Sequence, residues 1–504
     1  MPHGDADQGI RTPKSTFYDQ GRFGRLFPAL PGFAADTPTV RAALVELGKP
    51  GGLMDTNESP TADPFALIVD PTLSVDNPDN PRLTAGMTFL GQFLDHDMTF
   101  DPTSSLARTQ DPESLRNFRI PALDLDSVYG GGPGVSPHLY DQSVDHGRTT
   151  MLVEPNAGSE AVCIDGVVRY DVPRNAQGTA LIGDPRNDEN LIVDQLHLAF
   201  LRFHNRVVAD VRDDLGPLAT PGELFAEAQR IVRWHYQWMI LHEFLPLTCG
   251  DTLMDDIWAN GRKFYDWRNS PYIPVEFSVA AYRFGHSQVR PSYRANFGTS
   301  ASDRLQQFFA VIFDHTASGT DPGDLRGGCR APRRFIDWQT FFDFGGGQVR
   351  RNKRIDTKLS SALFHLLGQP SDEPDSLAIR NLIRGLTMEV PSGQRVAAAM
   401  QETPLHESEL ADLEPFGLHK RTPLWFYVLR EADVRADGEH LGPVGGRIVA
   451  EVFHGLIDGD PSSYLSQDPD WTPTYGTNDE FGITDLLTAA GVVGALAPTA
   501  PVPV

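Results

Sequence analysis

The chain has 504 residues, 40% of them hydrophobic and 22% charged, which is the composition of a folded globular protein. At about 150 residues per domain, this length allows three domains or one large one. The 43 Lys and Arg residues are outnumbered by 67 Asp and Glu residues, and the formal net charge of −24 argues against a nucleic-acid partner, because such binding depends on clustered cations. The three cysteines form no CxxC pair, which argues against a zinc knuckle or a disulfide-stapled scaffold and favours reduced thiols.

The two ends of the chain differ in composition from its middle. Residues 1–80 are rich in Pro, Gly, Asp and Asn, which favours an extended arm over a domain with its own core. Residues 486–504 favour a tail whose last residues fray, and their apolar part is shorter than the about 20 residues of a membrane span. The N-terminus lacks the apolar core of a signal peptide. We therefore expect residues 81–485 to form the main domain of a protein that is cytoplasmic or exported by an unconventional route.

Helical periodicity dominates the middle of the chain. Apolar residues step by three or four positions from residue 191 to 211, from 224 to 245 and from 445 onward, and each series predicts a helix. The second helix is expected to stop before Pro246.

Strand signals are few. The best is residues 161–170, where Asp165-Gly166 between two β-branched runs predicts a type I′ hairpin. No glycine-rich phosphate-binding motif and no repeat of fixed period occurs. The sequence therefore predicts a mainly α protein with few short β-hairpins.

An apolar helical segment, GMTFLGQFLDHDMTFDP, carries Gln92, Asp95 and His96. On a helix, Gln92 and His96 share a face that Asp95 borders. Further along, Arg186 and Glu189 precede the helix predicted from residue 191, and His286 follows a glycine in apolar surroundings. Each group alone is explained by a polar helix end, a surface charge or a satisfied core histidine.

Five motifs occur in order along the chain: GQFLDHD, LDLDSVYG, GDPRNDEN followed by LHLAFLRFHNR, YRFGH and RNLIRGL. In this order and spacing they resemble the animal-type haem peroxidases, the superfamily of myeloperoxidase, lactoperoxidase and the cyclooxygenases, in a bacterial-type form. GPVGGRIVAEVFHGLI is similar to a late helix of the family. The resemblance implies a mainly α-helical haem peroxidase of the myeloperoxidase-like type that binds haem b.

The resemblance also implies a role for each polar residue. His286 matches the axial ligand of the haem iron, and Asn381 matches the asparagine that accepts or steers the hydrogen bond of that ligand's other ring nitrogen. His96 matches the acid/base that moves the protons of hydrogen peroxide, and Arg186 the cation that stabilises developing charge. Gln92 occupies the position that binds the distal water or a small anion.

The implied reaction reduces hydrogen peroxide through a ferryl and porphyrin-radical intermediate, which small electron donors return to rest. Asp95 and Glu189 match the carboxylates that form ester bonds with haem methyl groups in mammalian members; the alternative is that both stay free. Asn190 stands where myeloperoxidase has a methionine joined to haem, and asparagine cannot form that bond. The implied donors are therefore bromide, iodide, thiocyanate or phenols.

A calcium site is the next implication of the resemblance. Asp97 follows the candidate acid/base histidine as the family's calcium aspartate does, and Ala122, Asp124 and Asp126 fall at further ligand positions; hard oxygen ligands suit calcium. Ile120 departs from the pattern, because it leaves only a backbone carbonyl where the family has a threonine hydroxyl. The alternative is a pair of solvated aspartates in a turn.

Two other functions within the superfamily remain open. Fatty-acid dioxygenases and cyclooxygenases carry a radical-bearing tyrosine three residues before the axial histidine, where this chain has Arg283, with Tyr282 one residue further back. An adhesion or matrix scaffold poor in haem would keep the helices without the chemistry. The oligomeric state is left open. Four histidines on the long helices are expected to pack in the core without a catalytic role: His197, His204, His235 and His242.

Overall fold

The structure is a computed structural model that describes residues 23–59, 62–101, 106–107, 109–111, 115–143, 148–267, 271–368 and 373–494. Its α-helices are α1 (Pro38–Gly48), α2 (Ala66–Val69), α3 (Ala85–Met98), α4 (Asp126–Tyr129), α5 (Gly132–Val135), α6 (Leu191–Leu215), α7 (Pro221–Met239), α8 (Leu245–Cys249), α9 (Asp251–Asn260), α10 (Leu377–Thr387), α11 (Gly393–Met400), α12 (Leu424–Ala436), α13 (Pro443–Asp458), α14 (Tyr464–Gln467) and α15 (Ile483–Ala489). The expectation of a mainly α protein is confirmed.

The strands are short and pair two by two. They are β1 (Phe23–Gly24), β2 (Asp79–Thr84), β3 (Glu154–Pro155), β4 (Tyr170–Asp171), β5 (Ile273–Pro274), β6 (Ser292–Asn296), β7 (Phe308–Val311) and β8 (Arg351–Lys353). β1 pairs with β5 in parallel, whereas β2 with β8, β3 with β4, and β6 with β7 are antiparallel. These ladders tie distant parts of the chain to a helical core.

Helix α6 is the centre of that core. The side chain of Asn190 caps its first turn by accepting hydrogen bonds from the backbone N–H groups of Ile192 and Val193. Gly216, at φ +75°, ends it in a conformation that glycine adopts without strain. Its apolar residues are buried against α3, α7 and α15, as the periodicity from residue 191 predicts.

The second predicted helix is interrupted. α7 starts at a capping box between Thr220 and Glu223 and ends at Met239, and a π-helical turn, Ile240–Phe244, joins it to α8. The expectation that the helix stops before Pro246 is wrong, because this proline lies in the first turn of α8, where its missing N–H group leaves no hydrogen bond unmade. The third predicted helix is α13 and is confirmed.

The type I′ hairpin predicted at residues 161–170 is also wrong. The strands lie further out, at β3 and β4, and the intervening chain forms turns. A type I′ turn needs positive φ at both central residues, but here Gly166 (φ +68°) has it and Asp165 does not. The Asp165 carboxylate instead accepts a hydrogen bond from the Val167 N–H group.

The two ends are more structured than an arm and a tail. Within residues 1–80, α1 packs against α10, and the Glu276 carboxylate accepts hydrogen bonds from the N–H groups of Leu26 and Phe27. Helix α15, which overlaps the first residues of the predicted tail, packs against α6. The last residues, expected to fray, lie outside the described part. The domain boundaries stay predictions. All three cysteines are free thiols, and no helix of the described segments is long and apolar enough to cross a membrane.

Two glutamates, the buried Glu431 and the partly buried Glu243, cap backbone groups between helices. Glu431 accepts hydrogen bonds from the N–H groups of Val444 and Gly445, and Glu243 accepts one from Ile483. Burial raises the pKa of each from the ordinary 4.5 to about 7. Since the folded state binds these protons more tightly, the stabilisation is complete below pH 4.5 and is lost as the pH rises to about 7.

We therefore expect the free energy of unfolding to fall across this range, by up to about 1.4 kcal/mol per pH unit for each carboxyl. Urea unfolding curves measure this slope. The double variant Glu243→Gln, Glu431→Gln should lose part of the slope, whereas Glu414→Gln, at an exposed position, should keep all of it. Equal slopes in the double variant and the wild type would show that other groups set the pH dependence.

Candidate active site

One cavity of about 950 Å³ collects the polar residues of three distant segments. α3, the 3₁₀ turn before α6 together with the residues that follow it, and the 3₁₀ helix Ala281–His286 each contribute to its wall. The candidate residues that line it are Gln92, Asp95, His96, Arg186, Glu189 and His286. Asn381 lies behind His286, and the candidate calcium residues form a separate cluster.

His96 is buried, with 4% of its surface exposed, and one of its ring nitrogens is engaged. Its Nδ1 lies 2.8 Å from the Asn187 side-chain oxygen, which can only accept a hydrogen bond. The ring therefore carries its proton on Nδ1 and keeps a lone pair on Nε2. Burial lowers the pKa of His96, and the Arg186 guanidinium lowers it further. A neutral imidazole with a basic Nε2 thus lines the cavity.

Asn187 and His197 are partners that the sequence did not indicate. The Asn187 amide donates to Nδ1 of His197 at 3.0 Å, and burial lowers the pKa of His197 to about 3. The expectation of core packing holds for His197, His204 and His235, which are buried. It is wrong for His242, which is exposed and stacks on Trp238 with 3.8 Å between ring centroids.

Arg186 is held by one carboxylate and two backbone carbonyls. Its Nε and one terminal nitrogen donate to Asp184, and the same terminal nitrogen donates to the carbonyls of His96 and Thr99. Its guanidinium lies 4.7 Å from the centroid of the Phe100 ring. The other terminal nitrogen, NH1, has no hydrogen-bond partner among the described residues. Arg186 is therefore a fixed cation at the cavity wall, and its NH1 group can still donate hydrogen bonds.

Asp184 connects this arginine to a second, fully buried one. Arg119 donates two hydrogen bonds to Asp184 and a third to Asp126, with 0% of its side chain exposed. Burial would raise the pKa of Asp184, but the guanidiniums of Arg186 and Arg119 outweigh it and hold that pKa well below its usual range. A Cβ at Gly183 would lie 2.2 Å from the Ser127 carbonyl oxygen, so the segment needs glycine there.

Gln92 is held between two residues that precede α6. Its amide nitrogen donates to Glu189 at 3.3 Å, and its amide oxygen accepts from Asn190 at 3.2 Å. Asp95, one turn further along α3, accepts a hydrogen bond from the Thr99 hydroxyl. Asp95, from the motif GQFLDHD, and Glu189, from the motif GDPRNDEN, thus both line the cavity.

On the His286 side, three residues form a directed chain of hydrogen bonds. Arg283 donates to the Asn381 side-chain oxygen at 3.0 Å, and this fixes the amide so that its nitrogen donates to Nδ1 of His286 at 2.8 Å. Burial, and then the Arg283 charge, lower the pKa of His286 to about 3. The expectation that Asn381 accepts a hydrogen bond from the ring is wrong, because its oxygen accepts from Arg283 and its nitrogen faces Nδ1 of His286. Because Nδ1 accepts, the proton of the neutral His286 ring lies on Nε2, which has no hydrogen-bond partner in the described chain and could bind a metal after losing that proton.

The three aspartates predicted to bind calcium do come together. Carboxylate oxygens of Asp97, Asp124 and Asp126 lie within 4.8 Å of one another. Asp97 accepts hydrogen bonds from the Leu125 N–H group and the Tyr236 hydroxyl, and burial and the charge of Asp124 raise its pKa to about 6. Three close carboxylates are a donor set that suits a hard cation. No contact tests the carbonyl of Ala122, which stays a prediction.

The fold has counterparts among known proteins. The structure is similar to peroxidase A from Dictyostelium discoideum (TM-score 0.60, 16% identity, 99% of this chain and 98% of that chain). It is also similar to the fatty acid alpha-dioxygenase of Oryza sativa (TM-score 0.55, 14% identity, 87% and 78%). These likenesses show that the chain shares its fold with both proteins.

Sequence comparison adds the class of protein that the chain resembles. The animal haem peroxidase family model matches residues 112–315. A peroxidase-like protein of Margaritifera margaritifera is 27% identical over 55% of this chain and 38% of its own length, and the chorion peroxidase of Drosophila melanogaster is 28% identical over 68% and 41%. The matches thus span well under half of these two relatives. The matched segment of the chain is thus similar to animal haem peroxidases.

Proposed function

We propose that this protein binds haem b in the cavity and reduces hydrogen peroxide with electrons from small donors. The observation that carries the proposal is that His96, Arg186 and His286, from three distant segments, line one cavity. Its volume of about 950 Å³ is that of a cofactor site. When bound, haem supplies the iron that binds peroxide and exchanges electrons with donors.

The residues that line the cavity fit a bound haem. Nε2 of His286 would bind iron in exchange for its proton, and the hydrogen bond that the Asn381 amide donates to Nδ1 would then favour an imidazolate-like ring. Asp95 and Glu189 stand at the wall where esters with haem methyl groups would form. In this arrangement His286 is a stronger electron donor than a neutral imidazole.

On the other side, His96 and Arg186 handle the peroxide. Nε2 of His96 takes one proton from hydrogen peroxide and returns it to the leaving oxygen, which departs as water. The lowered pKa keeps His96 neutral, as a base must be. The fixed charge of Arg186 stabilises the negative charge that develops as the O–O bond lengthens, at no cost of reorganisation. Gln92, anchored at both ends of its amide, positions a water or small anion.

The donor we propose is bromide, iodide, thiocyanate or a phenol. Asn190 cannot form a sulfonium bond to haem, and its side chain is committed to capping α6 and to Gln92. Each donor class can be tested by its effect on peroxide consumption. A preference for chloride over bromide would contradict this part of the proposal.

The haem-binding role is tested by reconstitution. The wild type should show a Soret band and a pyridine haemochrome spectrum and should oxidise a dye in the presence of peroxide. His286→Ala should lose most of the haem, whereas His365→Ala, at an exposed position, should keep it. No Soret band in the haem-supplemented wild type would favour a scaffold, and oxygen uptake with a polyunsaturated fatty acid would favour a dioxygenase.

Covalent attachment is tested by the mass of the denatured protein. We propose ester bonds through Asp95 and Glu189, so haem should stay attached after denaturation. Asp95→Asn and Glu189→Gln should each remove one link while the other holds the haem. Complete release of haem from the denatured wild type would show that both carboxylates stay free.

We also propose that the aspartate cluster binds calcium, and calorimetric titration measures this. The affinity should fall by about tenfold or more in Asp124→Asn, because a carboxylate ligand is lost. Asp468→Asn, at an exposed position, is the control. Absence of calcium binding by the wild type would contradict the proposal and leave Asp126 as the ion-pair partner of Arg119.

A further inference from the structure

Three buried side chains form a line that leads away from the cavity. His96, Asn187 and His197 are 4%, 0% and 0% exposed. Nδ1 of His96 meets the Asn187 oxygen at 2.8 Å, and the Asn187 nitrogen meets Nδ1 of His197 at 3.0 Å. None of the functions derived so far uses Asn187 or His197.

We infer that Asn187 is a positioning residue that holds His96 in the tautomer whose Nε2 is basic, and that His197 holds Asn187 in turn. This inference rests on the proposed function, because it names what prepares His96 for proton transfer. An amide has one accepting and one donating end, so its orientation decides which nitrogen of each ring carries a proton.

The orientation has a consequence at each end of the line. With the oxygen toward His96, Nδ1 of His96 must donate and Nε2 is left as a base. With the nitrogen toward His197, Nδ1 of His197 must accept, so its proton lies on Nε2. That Nε2 has no hydrogen-bond partner in the described part of the chain, which is costly for a buried polar group. The opposite amide orientation would protonate Nε2 of His96 and remove the base.

Electrostatics also favours three uncharged side chains in this line. Burial lowers the pKa of both histidines, so neither ring gains a second proton that would make both of its nitrogens donors. Asn187 is neutral as well, unlike the carboxylate that often orients a catalytic histidine. A neutral partner fixes the tautomer of His96 without placing a charge beside the ring.

The tautomer can be measured on the purified full-length chain without haem. Nitrogen-15 NMR of histidine-labelled protein, with the His96 signals assigned by their loss in His96→Gln, should show a protonated Nδ1 and an unprotonated Nε2. Asn187→Leu, of similar size, should give a mixture of tautomers. A protonated Nε2 in the wild type, or an unchanged tautomer in Asn187→Leu, would overturn the inference even if haem binds.

The haem-loaded protein gives a second readout. Cyanide binds as hydrogen cyanide and must pass its proton to a base, so its association rate, followed at the Soret band, reports Nε2 of His96. Asn187→Leu should slow association by about tenfold or more. Asn187→Asp keeps the acceptor and adds a charge, so the acid limb of the pH profile should move to higher pH. Asn260→Asp, at an exposed position, should leave both unchanged.

The outcomes are distinguishable. Loss of rate in both Asn187 variants without a shift of the pH profile would show a merely structural role and overturn the inference. A wild type that takes up no haem would instead refute the proposed function, while the NMR result would still decide the tautomer. His197→Leu, which removes the partner behind Asn187, should move the tautomer in the same direction as Asn187→Leu.

Discussion

Replacement of His96 by glutamine should slow the reaction of the haem-loaded protein with hydrogen peroxide by about 10²–10⁴-fold. Glutamine is similar in size and polar, but it has no nitrogen that can take a proton at neutral pH. The loss should therefore fall on the rate of the first step and leave haem content unchanged. Stopped-flow measurement of the Soret change after mixing with peroxide gives this rate directly.

A matched substitution separates the site from the surface. His138→Gln, at an exposed position, should react as fast as the wild type. The wild-type rate should also stay constant to a pH below 6.5, the ordinary pKa of histidine, because the pKa of His96 is lowered and only the neutral ring is a base. If His96→Gln reacted within a factor of about three of the wild type, the proton acceptor would have to lie elsewhere.

The long helices could be predicted because apolar residues recur at every third or fourth position of their sequences. The structure buries more of α6 and α13 than this spacing indicates, because both helices are covered on most sides. The π-helical turn after Met239 could not be predicted, because the apolar spacing continues across it. The prediction of a type I′ turn at Asp165-Gly166 was wrong for a local reason, because this dipeptide is compatible with several turn types.

The residues at the cavity wall could be placed from motifs, but their partners could not. Asn187 precedes an aspartate in GDPRNDEN, and nothing in that pattern indicates a bond to Nδ1 of His96, 91 positions away. No sequence motif indicates a role for Arg119. Its role depends on the ion pair with Asp184, 65 positions along the chain, and on the complete burial of both side chains. Such contacts are set by tertiary packing, which spacing within one segment does not contain.

Arg119→Met should lower the free energy of unfolding by about 3–5 kcal/mol. Arg119 is fully buried and donates to the carboxylates of Asp184 and Asp126. Methionine fills similar space, but it leaves two buried charges with less compensation, and this costs more than the ion pairs themselves contribute. Urea unfolding at neutral pH measures the change.

The comparison variant is Arg206→Met, which removes a pair with Asp210 whose arginine side chain is 60% exposed. That loss should be far smaller than the loss in Arg119→Met, because water replaces a surface partner. The double variant Arg119→Met, Asp184→Asn should lose less than the sum of its two single variants, because Asp184→Asn removes one of the charges that Arg119→Met leaves behind. Full stability of Arg119→Met would mean that Arg186 alone balances Asp184 and that the second guanidinium serves only the aspartate cluster around Asp126.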